Sequence, residues 1–277
     1  MNTKNLKPKY TIKVDQNTKI SLSYGNSKIG MMINWSTLPG DSKHLLTAKG
    51  ELLTDVPGTC CGKCDACFNN CYAVNSARLH HNACIPSWAK NTLMLRNYPD
   101  ETFAQIDAEI RRVNKAYYKS GNAADLKYKF FRVGVSGEVQ SVEELERWND
   151  LAKKHPELQF GIYSKNEEIL LAFFKKHGQT ADNFTVNISQ WHGTQNNTIV
   201  ELAKIGAKFN IFEYDDSNRA WCSLDDHEKT RLANCQHCAA VLKTGKHAKK
   251  ADGSPILCTD CGRCYRKTGA TTAVYDH

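Results

Sequence analysis

The chain alternates between segments with the two-residue apolar period of β-strands and segments with the three- to four-residue period of α-helices. Two alternating segments at 10–14 and 19–24 flank an Asp-Gln-Asn turn and predict an N-terminal hairpin. Further strands are predicted at residues 29–35, 130–135, 158–163, 184–189, 208–214 and 271–275. Helices are predicted at residues 100–119, from Ser141 to near His155, at 167–176 and at 198–205.

Strands that alternate with helices in this way are typical of βαβ units, which build a mainly parallel sheet. We therefore expect an α/β fold in which about six mainly parallel strands form a partial (β/α) barrel behind the N-terminal hairpin. A chain of 277 residues can bury one large core. Residues 1–220 are predicted to form this barrel, and residues 221–277 a Cys-rich metal-binding tail that could return a last strand to it.

Five of the twelve cysteines are crowded onto one loop, at Cys60, Cys61, Cys64, Cys67 and Cys71. Thiols this close together cannot all find separate disulfide or core partners, which favours thiolates that bind metal. A zinc ion takes four ligands, commonly from two separated Cys-x-x-Cys pairs, whereas an iron–sulfur cluster is wrapped by thiolates of one compact loop. The loop therefore predicts a [4Fe–4S] cluster in preference to zinc.

A second group of cysteines occurs in the tail, at Cys235, Cys238, Cys258, Cys261 and Cys264. Two Cys-x-x-Cys pairs would suit a zinc ribbon, but the third thiol of the 258–264 run is more typical of ferredoxins, so a second cluster is predicted with zinc as the alternative. Because the tail has few apolar residues, metal is expected to organise it, and truncation after Asn234 is expected to leave a folded barrel. Cys84 and Cys222 are interpreted as small buried hydrophobes.

Composition predicts where in the cell the protein works. The chain begins with charged residues and has no apolar run near membrane-spanning length, so we expect a cytoplasmic protein without membrane contact. The cysteines are then reduced metal ligands rather than disulfides. The net charge of +8 would suit a nucleic-acid partner, but it is spread along the chain and is more typical of a solvated surface.

Polar residues follow the predicted strands at their carboxyl ends, where parallel sheets place their chemistry. Ser136, Gly137 and Glu138 follow one strand, and Ser164 and Asn166 follow the next. The cysteine loop follows the first parallel strand, so all of these residues are expected at one mouth of the barrel. Glu138 is the strongest candidate for ligand contact, because a carboxylate after a glycine can approach a ligand closely. The alternative is a loop acid that caps the following helix.

This arrangement resembles the radical S-adenosylmethionine superfamily, in which three cysteines hold a [4Fe–4S] cluster and a Gly-Gly-Glu-type motif receives the methionine amine. The resemblance implies that Ser136, Gly137 and Glu138 bind S-adenosylmethionine, with Ser164 or Asn166 near the ribose. The sequence departs from the motif because Ser136 stands in place of the first glycine.

A closer resemblance is to the phage gene-product-eighty-eight family, over most of the chain. The shared features are the segment 25–30, the Thr-Cys that opens the cysteine loop, the segment 67–73 followed by Arg78, the segments 136–138 and 163–165, His177-Gly178 with Ser-Gln-Trp at 189–191, and the aromatic residue after the last tail cysteine. The resemblance implies a phage- or prophage-encoded iron–sulfur protein that works in the host cell, and it names no reaction.

Two ligand sets remain open for the loop. Cys60, Cys64 and Cys67 have the superfamily spacing C-x3-C-x2-C. The Tyr-Ala pair that follows the last ligand in both families points instead to Cys71, and so to Cys60, Cys67 and Cys71. The resemblance favours the second set.

Three functions are consistent with these features. The first is an iron–sulfur enzyme that reductively cleaves S-adenosylmethionine to act on an unknown substrate, with a reductant such as flavodoxin or ferredoxin. The second is a non-catalytic phage or prophage protein whose clusters or zinc support a nucleic-acid-binding surface. The third is a protein that transfers electrons through two clusters. A nucleotide-sized cavity beside one cluster would favour the first, a basic face over closed metal sites the second, and two clusters near the surface the third.

Overall fold

The computed structural model describes residues 7–25, 29–40, 45–47, 49–60, 71–190, 197–215, 236–238, 248–269 and 271–275. These residues form one sheet of seven strands, each parallel to its neighbours. The strands are β1 (Ile33–Asn34), β2 (Phe130–Val133), β3 (Gln159–Ser164), β4 (Phe184–Gln190), β5 (Asn210–Asp215), β6 (Gln236–His237) and β7 (Thr271–Tyr275). Their order is β1-β2-β3-β4-β5-β7-β6, so the last strand in sequence lies between the two before it.

Eight α-helices accompany the sheet in the described residues. They are α1 (Tyr72–Leu79), α2 (His81–Asn97), α3 (Pro99–Val113), α4 (Lys115–Ser120), α5 (Val142–Lys154), α6 (Glu167–His177), α7 (Asn197–Lys204) and α8 (Cys258–Cys261). Helices α5, α6 and α7 each connect two parallel neighbours, which confirms the predicted α/β class and the parallel sheet. A barrel is not confirmed, because β1 and β6 lie at opposite edges and do not pair within the described residues.

The main core lies between the sheet and the helices. Phe131, Phe160 and Phe184 from β2, β3 and β4 are fully buried there, and the first two rings stack at 5.0 Å. Trp148 of α5 packs on Phe131 at 5.7 Å. Burying each of these side chains contributes on the order of 1.5–3 kcal/mol. Because side chains alternate along a strand, this packing directs the intervening residues to the opposite side of the sheet.

That opposite side is the inner face of the sheet. Asn34, Arg132, Gly161 and Thr185 are register partners across β1, β2, β3 and β4, so they form one row, which we call the inner-face row. Gly161 has no side chain, and the ring of Tyr265 occupies the space above it.

The tail segment 258–266 covers the inner face. The Thr259 N–H donates to the carbonyl of residue 29 at 3.2 Å. Side-chain amides rising from the sheet hold the other end, because Asn187 donates to the Cys264 carbonyl and Asn210 to the Arg266 carbonyl, both at 2.9 Å. The tail therefore packs on the sheet and also supplies two of its strands. The predicted domain boundary after residue 220 falls outside the described residues and stays a prediction.

The predicted N-terminal hairpin is wrong. The turn after position 14 forms, but Ser23 pairs with Asn34 of β1 rather than with the segment before the turn. The Asn91 side chain of α2 accepts the Ser21 N–H at 2.8 Å and donates to the Ser21 carbonyl at 2.7 Å. A side-chain amide thus satisfies backbone groups that a hairpin would have paired, and sequence alternation does not reveal this.

Other elements differ in extent from the prediction. The first strand is only β1, and the helix predicted at 100–119 breaks at Asn114 into α3 and α4. At this break, the Asn114 amide oxygen accepts the Tyr128 N–H at 2.9 Å and the amide nitrogen donates to the Tyr128 carbonyl at 3.3 Å. Helices α1, α2 and α8 and strand β6 were not predicted. None of the helices in the described part of the chain has both the length and the apolar character needed to cross a membrane.

Candidate functional site

Both ends of the cysteine loop are hydrogen-bonded to the segment that follows β2. Before the loop, the Thr59 hydroxyl accepts the Glu138 N–H at 2.8 Å. After the loop, the Tyr72 phenol donates to the Val135 carbonyl at 2.9 Å. The first and last cysteines of the loop are the next residues inward from these two anchors, and both are partly buried. The loop therefore leaves and rejoins the fold at the edge of the sheet that carries Glu138.

A third anchor holds the stretch before the loop. The Arg96 guanidinium, in the last turn of α2, donates to the carbonyls of Pro57 at 2.8 Å and Gly58 at 2.9 Å. It also donates to the side-chain oxygen of Gln140 at 2.6 Å. One side chain thus ties the approach to the cysteine loop to the residues that precede α5. Planar guanidinium groups suit this role because they present several donors in a fixed geometry.

Gly137 allows the backbone to lie close to two threonine hydroxyls, which a residue with a Cβ atom would prevent. Its φ is +85°, and a Cβ atom there would lie 1.9 Å from the Thr37 hydroxyl oxygen and 2.5 Å from that of Thr59. These two hydroxyls lie 3.0 Å apart under the turn. The neighbouring Ser136 is buried, and its hydroxyl has no hydrogen-bond partner among the described residues.

Glu138 is 8% exposed, and its carboxylate points toward the end of β3. One oxygen accepts the Lys165 N–H at 3.0 Å, and the other accepts the Val139 N–H at 3.3 Å. Burial raises the pKa of Glu138, while the Lys165 ammonium, the two backbone N–H groups and the Ser164 hydroxyl oppose that rise. The Asn166 N–H donates to the Ser164 hydroxyl at 3.1 Å. The structure therefore brings together Glu138, Ser164 and Asn166, as predicted.

Glu138 does not cap the following helix, which was its alternative interpretation. The Ser141 hydroxyl caps α5 by accepting the Glu144 N–H at 3.1 Å, in agreement with the predicted helix start. The Glu144 carboxylate in turn accepts the Gln140 N–H at 2.9 Å. Glu138 therefore does not cap a helix, and its carboxylate accepts hydrogen bonds from backbone N–H groups at the edge of the sheet.

A small cavity adjoins Glu138 and has room for about one water molecule. Glu144 also lines it, together with Trp35, which follows β1, and apolar groups from β2 and β3. Burial raises the pKa of Glu144 to about 7, and the nearby Glu138 carboxylate adds to this rise. Hydrogen bonds from the Gln140 N–H and the Trp148 indole, together with the Arg96 charge, oppose it. Two carboxylates therefore share one enclosed space, which favours a proton on one of them.

The tail thiols Cys238, Cys258, Cys261 and Cys264 are all partly buried and interact electrostatically. Burial raises the pKa of Cys258, and the thiols of Cys238 and Cys261 raise it further. Burial likewise raises the pKa of Cys264 to about 11, although a hydrogen bond with Tyr163 opposes this. Within the described residues, however, no group of three or more His, Cys, Asp or Glu side chains is arranged to hold a metal ion. Metal binding by the tail stays a prediction.

Arg132 lies on the same face as the tail thiols. Its guanidinium stacks on the Tyr163 ring, 4.8 Å from the centroid, and its Nε is buried without a hydrogen-bond partner among the described residues. Burial lowers the pKa of Arg132, but Coulomb interactions with the phenols of Tyr163, Tyr72 and Tyr265 and with the Cys258 thiol outweigh burial and raise it. Arg132 forms no ion pair with a carboxylate of the described residues.

Five further cysteines fall outside the described residues: Cys61, Cys64, Cys67, Cys222 and Cys235. Neither ligand set of the loop is therefore tested. Cys84 is partly buried, and burial raises its pKa.

A family model described as Gene product 88 matches residues 10–267. The chain belongs to the gene product 88 family. The match spans strands β1 to β6, the cysteine loop and the tail segment, and it confirms the family resemblance seen in the sequence motifs. Among curated proteins no relative matches the chain. The family match carries no reaction, so the site of this gene product 88 protein has to be interpreted from its own geometry.

Sequence reasoning missed four residues that shape the site of this gene product 88 protein: Thr59, Tyr72, Arg96 and Arg132. Arg132 had a detectable signal, because it is a charge at an alternate position of an otherwise apolar strand. Thr59 and Tyr72 belong to the Thr-Cys and Tyr-Ala pairs that mark the family, but those pairs predict no hydrogen bond to the segment after β2. Arg96 could not have been found, because its partners lie about forty residues away along the chain on either side.

Proposed function

We propose that the protein is an iron–sulfur enzyme that binds S-adenosylmethionine beside the cysteine loop and cleaves it reductively. The observation that supports this proposal most strongly is the attachment of both loop ends to the segment that carries Glu138. Three thiolates from the loop would hold a [4Fe–4S] cluster and leave one iron open to a ligand. Glu138 is a buried carboxylate at that edge and would receive the ligand's amine.

Glu138 has the capacity for this contact. An ionised carboxylate offers about four lone-pair positions, and the donors from Lys165, Val139 and Ser164 use about three of them. A cofactor ammonium would take the remaining position and keep the carboxylate charged despite its burial. Ser164 and Asn166, which lie beside Glu138, would face the ribose. The adjoining cavity is smaller than a nucleotide, so the nucleotide part of the cofactor would lie outside it.

The cofactor supplies the chemistry when it is bound. A cluster held by the loop thiolates would supply one-electron reductive cleavage of the cofactor's sulfonium carbon–sulfur bond, with the electron coming from a reductant such as flavodoxin or ferredoxin. The contribution of the protein's own side chains is to bind the amino-acid end of the cofactor, orient it and exclude water.

The proposal is tested with protein reconstituted with iron and sulfide without oxygen and reduced with dithionite. We expect brown protein that forms 5′-deoxyadenosine from S-adenosylmethionine, and whose paramagnetic resonance spectrum changes when the cofactor is added. Cys71→Ala should remove both responses. A cluster that is fully reduced but gives neither response, or a fourth protein ligand on its last iron, would favour the non-catalytic alternative of an electron-transfer or nucleic-acid-binding protein.

Glu138→Gln tests the cofactor contact itself. Losing one charge-assisted hydrogen bond costs on the order of 1.5–3 kcal/mol, so binding of S-adenosylmethionine should weaken roughly ten- to a hundredfold. Isothermal titration of the reconstituted protein measures this change. Glu143→Gln, which removes an exposed acid from the first turn of α5, is the matched control and should bind normally. Equal affinity for both variants would remove Glu138 from the cofactor site.

A further inference from the structure

We infer that Arg132, on the inner face of the sheet, anchors the carboxylate or phosphate group of a substrate. The inference deepens the proposed function by naming the chemical class of its substrate. It rests on that function only in assigning the anion to a substrate, because the anion site itself requires neither an iron–sulfur cluster nor S-adenosylmethionine. The two proposals can therefore fail separately.

The sheet determines where the Arg132 side chain projects. Its neighbours in β2, Phe131 and Val133, are buried in the core, so Arg132 projects from the inner face. Strand pairing with Asn34 on one side and Gly161 on the other fixes its backbone. The tail segment covers this face at Gly161, whereas the Arg132 side chain stays partly exposed. A ligand can thus reach the guanidinium from the inner side.

Arg132 is the single charged side chain on the inner face of the described strands β1 to β4. The other inner positions of these strands carry apolar, amide, hydroxyl and phenol groups or, at Gly161, no side chain. No carboxylate of the described residues pairs with Arg132. A charge withdrawn from water is costly unless an opposite charge compensates it, so the surroundings of Arg132 favour a bound anion.

The contact with Tyr163 orients the guanidinium without using its hydrogen-bond donors. The Arg132 Cζ atom lies over the Tyr163 ring, 4.8 Å from the centroid, and a cation over a ring is attracted without a hydrogen bond. None of the guanidinium donors is hydrogen-bonded to a described residue, and the Nε atom is buried. A guanidinium presents five donors in a rigid fork that matches carboxylate and phosphate oxygens. Arg132 is therefore oriented in advance for an oxyanion.

A second unsatisfied atom lies next to Arg132 in the inner-face row. Asn34 is 3% exposed, and its amide nitrogen donates to the Met32 carbonyl at 3.1 Å, while its Oδ1 has no partner among the described residues. Asn34 and Arg132 are register partners on neighbouring strands, which lie about 4.8 Å apart. A protonated phosphate, or a carboxylate with a neighbouring hydroxyl, would satisfy both side chains. Water would satisfy the hydrogen bonds but leave the charge uncompensated.

The test uses the full chain as purified and follows the Nε–H signals of its arginines in nitrogen-15 NMR spectra. The Arg132 signal is the one that Arg132→Lys lacks. Inorganic phosphate, glycolate and methionine are titrated separately at constant ionic strength, which keeps screening fixed. We expect phosphate or glycolate to shift the Arg132 signal to saturation, and the tighter of the two assigns the substrate as a phosphate ester or a hydroxy acid. Methionine carries the carboxylate of the cofactor, so a response to methionine alone would overturn the assignment to a substrate.

Three variants of equal net charge separate this site from the general positive charge of the protein. Arg132→Gln should weaken anion binding roughly ten- to a hundredfold, because it removes charge-assisted hydrogen bonds. Asn34→Asp should weaken binding at least as much, because it supplies an internal carboxylate at the register position beside Arg132. Arg147→Gln removes an exposed charge that pairs with Asp100 and should bind as the parent does.

The outcomes are distinct. Equal affinity in Arg132→Gln and its parent would overturn the inference, as would the absence of a saturable shift with phosphate and glycolate. Equal weakening in Arg147→Gln would assign the binding to net charge and also overturn it. Circular dichroism shows whether each variant folds, and if Arg132→Gln does not, the wild-type titration and Asn34→Asp decide. Absence of 5′-deoxyadenosine from the wild-type protein would end the proposed reaction without affecting these anion measurements.

Discussion

At the scale of single residues, the site is defined by the pair Glu138 and Glu144. Burial raises the pKa of both, and their carboxylates line one cavity. The pKa of Glu144 rises from 4.5 to about 7, so the folded protein holds a proton that the unfolded chain has already released. The stabilisation from this proton is complete below pH 4.5 and is lost as the pH rises toward 7, because ionisation in the folded state is disfavoured.

Glu144→Gln should weaken the dependence of the free energy of unfolding on pH. In the parent protein, the free energy of unfolding should fall between pH 5 and pH 7 by up to about 1.4 kcal/mol per pH unit from this group. Glutamine cannot ionise, so the variant should lose that slope, whatever its absolute stability. Urea unfolding at several pH values measures it, with Glu143→Gln as the control that keeps the slope. Glu138 and Arg96 also face Glu144 and are left unchanged. The same slope in both variants would show that Glu144 is ionised throughout.

At the scale of elements, strands and helices set by neighbouring residues were predictable, whereas contacts between residues far apart in the sequence were not. Strands β2 to β5 and helices α5 to α7 follow from apolar periodicity and from the Ser141 cap, which are properties of neighbouring residues. The segment before β1 depends instead on the side chain of Asn91, some seventy residues later. The site divides in the same way. Glu138 was found because it follows a strand, whereas the register that puts Arg132 beside Gly161 cannot be read from either strand alone.

Gly161→Ala tests how the tail segment sits on β3. The added methyl group would press on the Tyr265 ring, and overpacking of this kind costs typically about 1–3 kcal/mol. We expect a lower midpoint for thermal unfolding of the metal-free protein. In a Tyr265→Leu background the same glycine substitution should cost clearly less, because the ring it meets is gone. Additive effects of the two substitutions would mean that Tyr265 does not insert above Gly161.

At the scale of the whole molecule, the tail is part of the sheet. Strand β7 pairs with β5 on one side and β6 on the other, and the tail segment covers the inner face. The low apolar content of the tail predicts that it can be removed without unfolding the barrel. The sheet, however, holds the tail segment, because Gly161 on β3 leaves space for it and the Asn187 and Asn210 side chains on β4 and β5 donate hydrogen bonds to it.

Truncation after Asn234 is therefore expected to destabilise the entire fold, which reverses the expectation from sequence. The change removes β6, β7 and the tail segment, and it exposes the edge of β5 and the polar inner face. We expect loss of the cooperative unfolding transition in circular dichroism and rapid proteolysis. The full chain stripped of metal by a chelator is the control. A truncated protein that unfolds cooperatively at the midpoint of that control would contradict this prediction.

The strand order has a consequence for synthesis of the chain. Residues 216–270 separate β5 from β7, so β5 emerges from the ribosome well before its partner and presents an unpaired edge in the meantime. The cysteines at 258, 261 and 264 emerge just before β7. Closure of the sheet therefore waits for β7, and a chain whose synthesis stalls before residue 271 would leave its β5 edge open to pairing with other proteins.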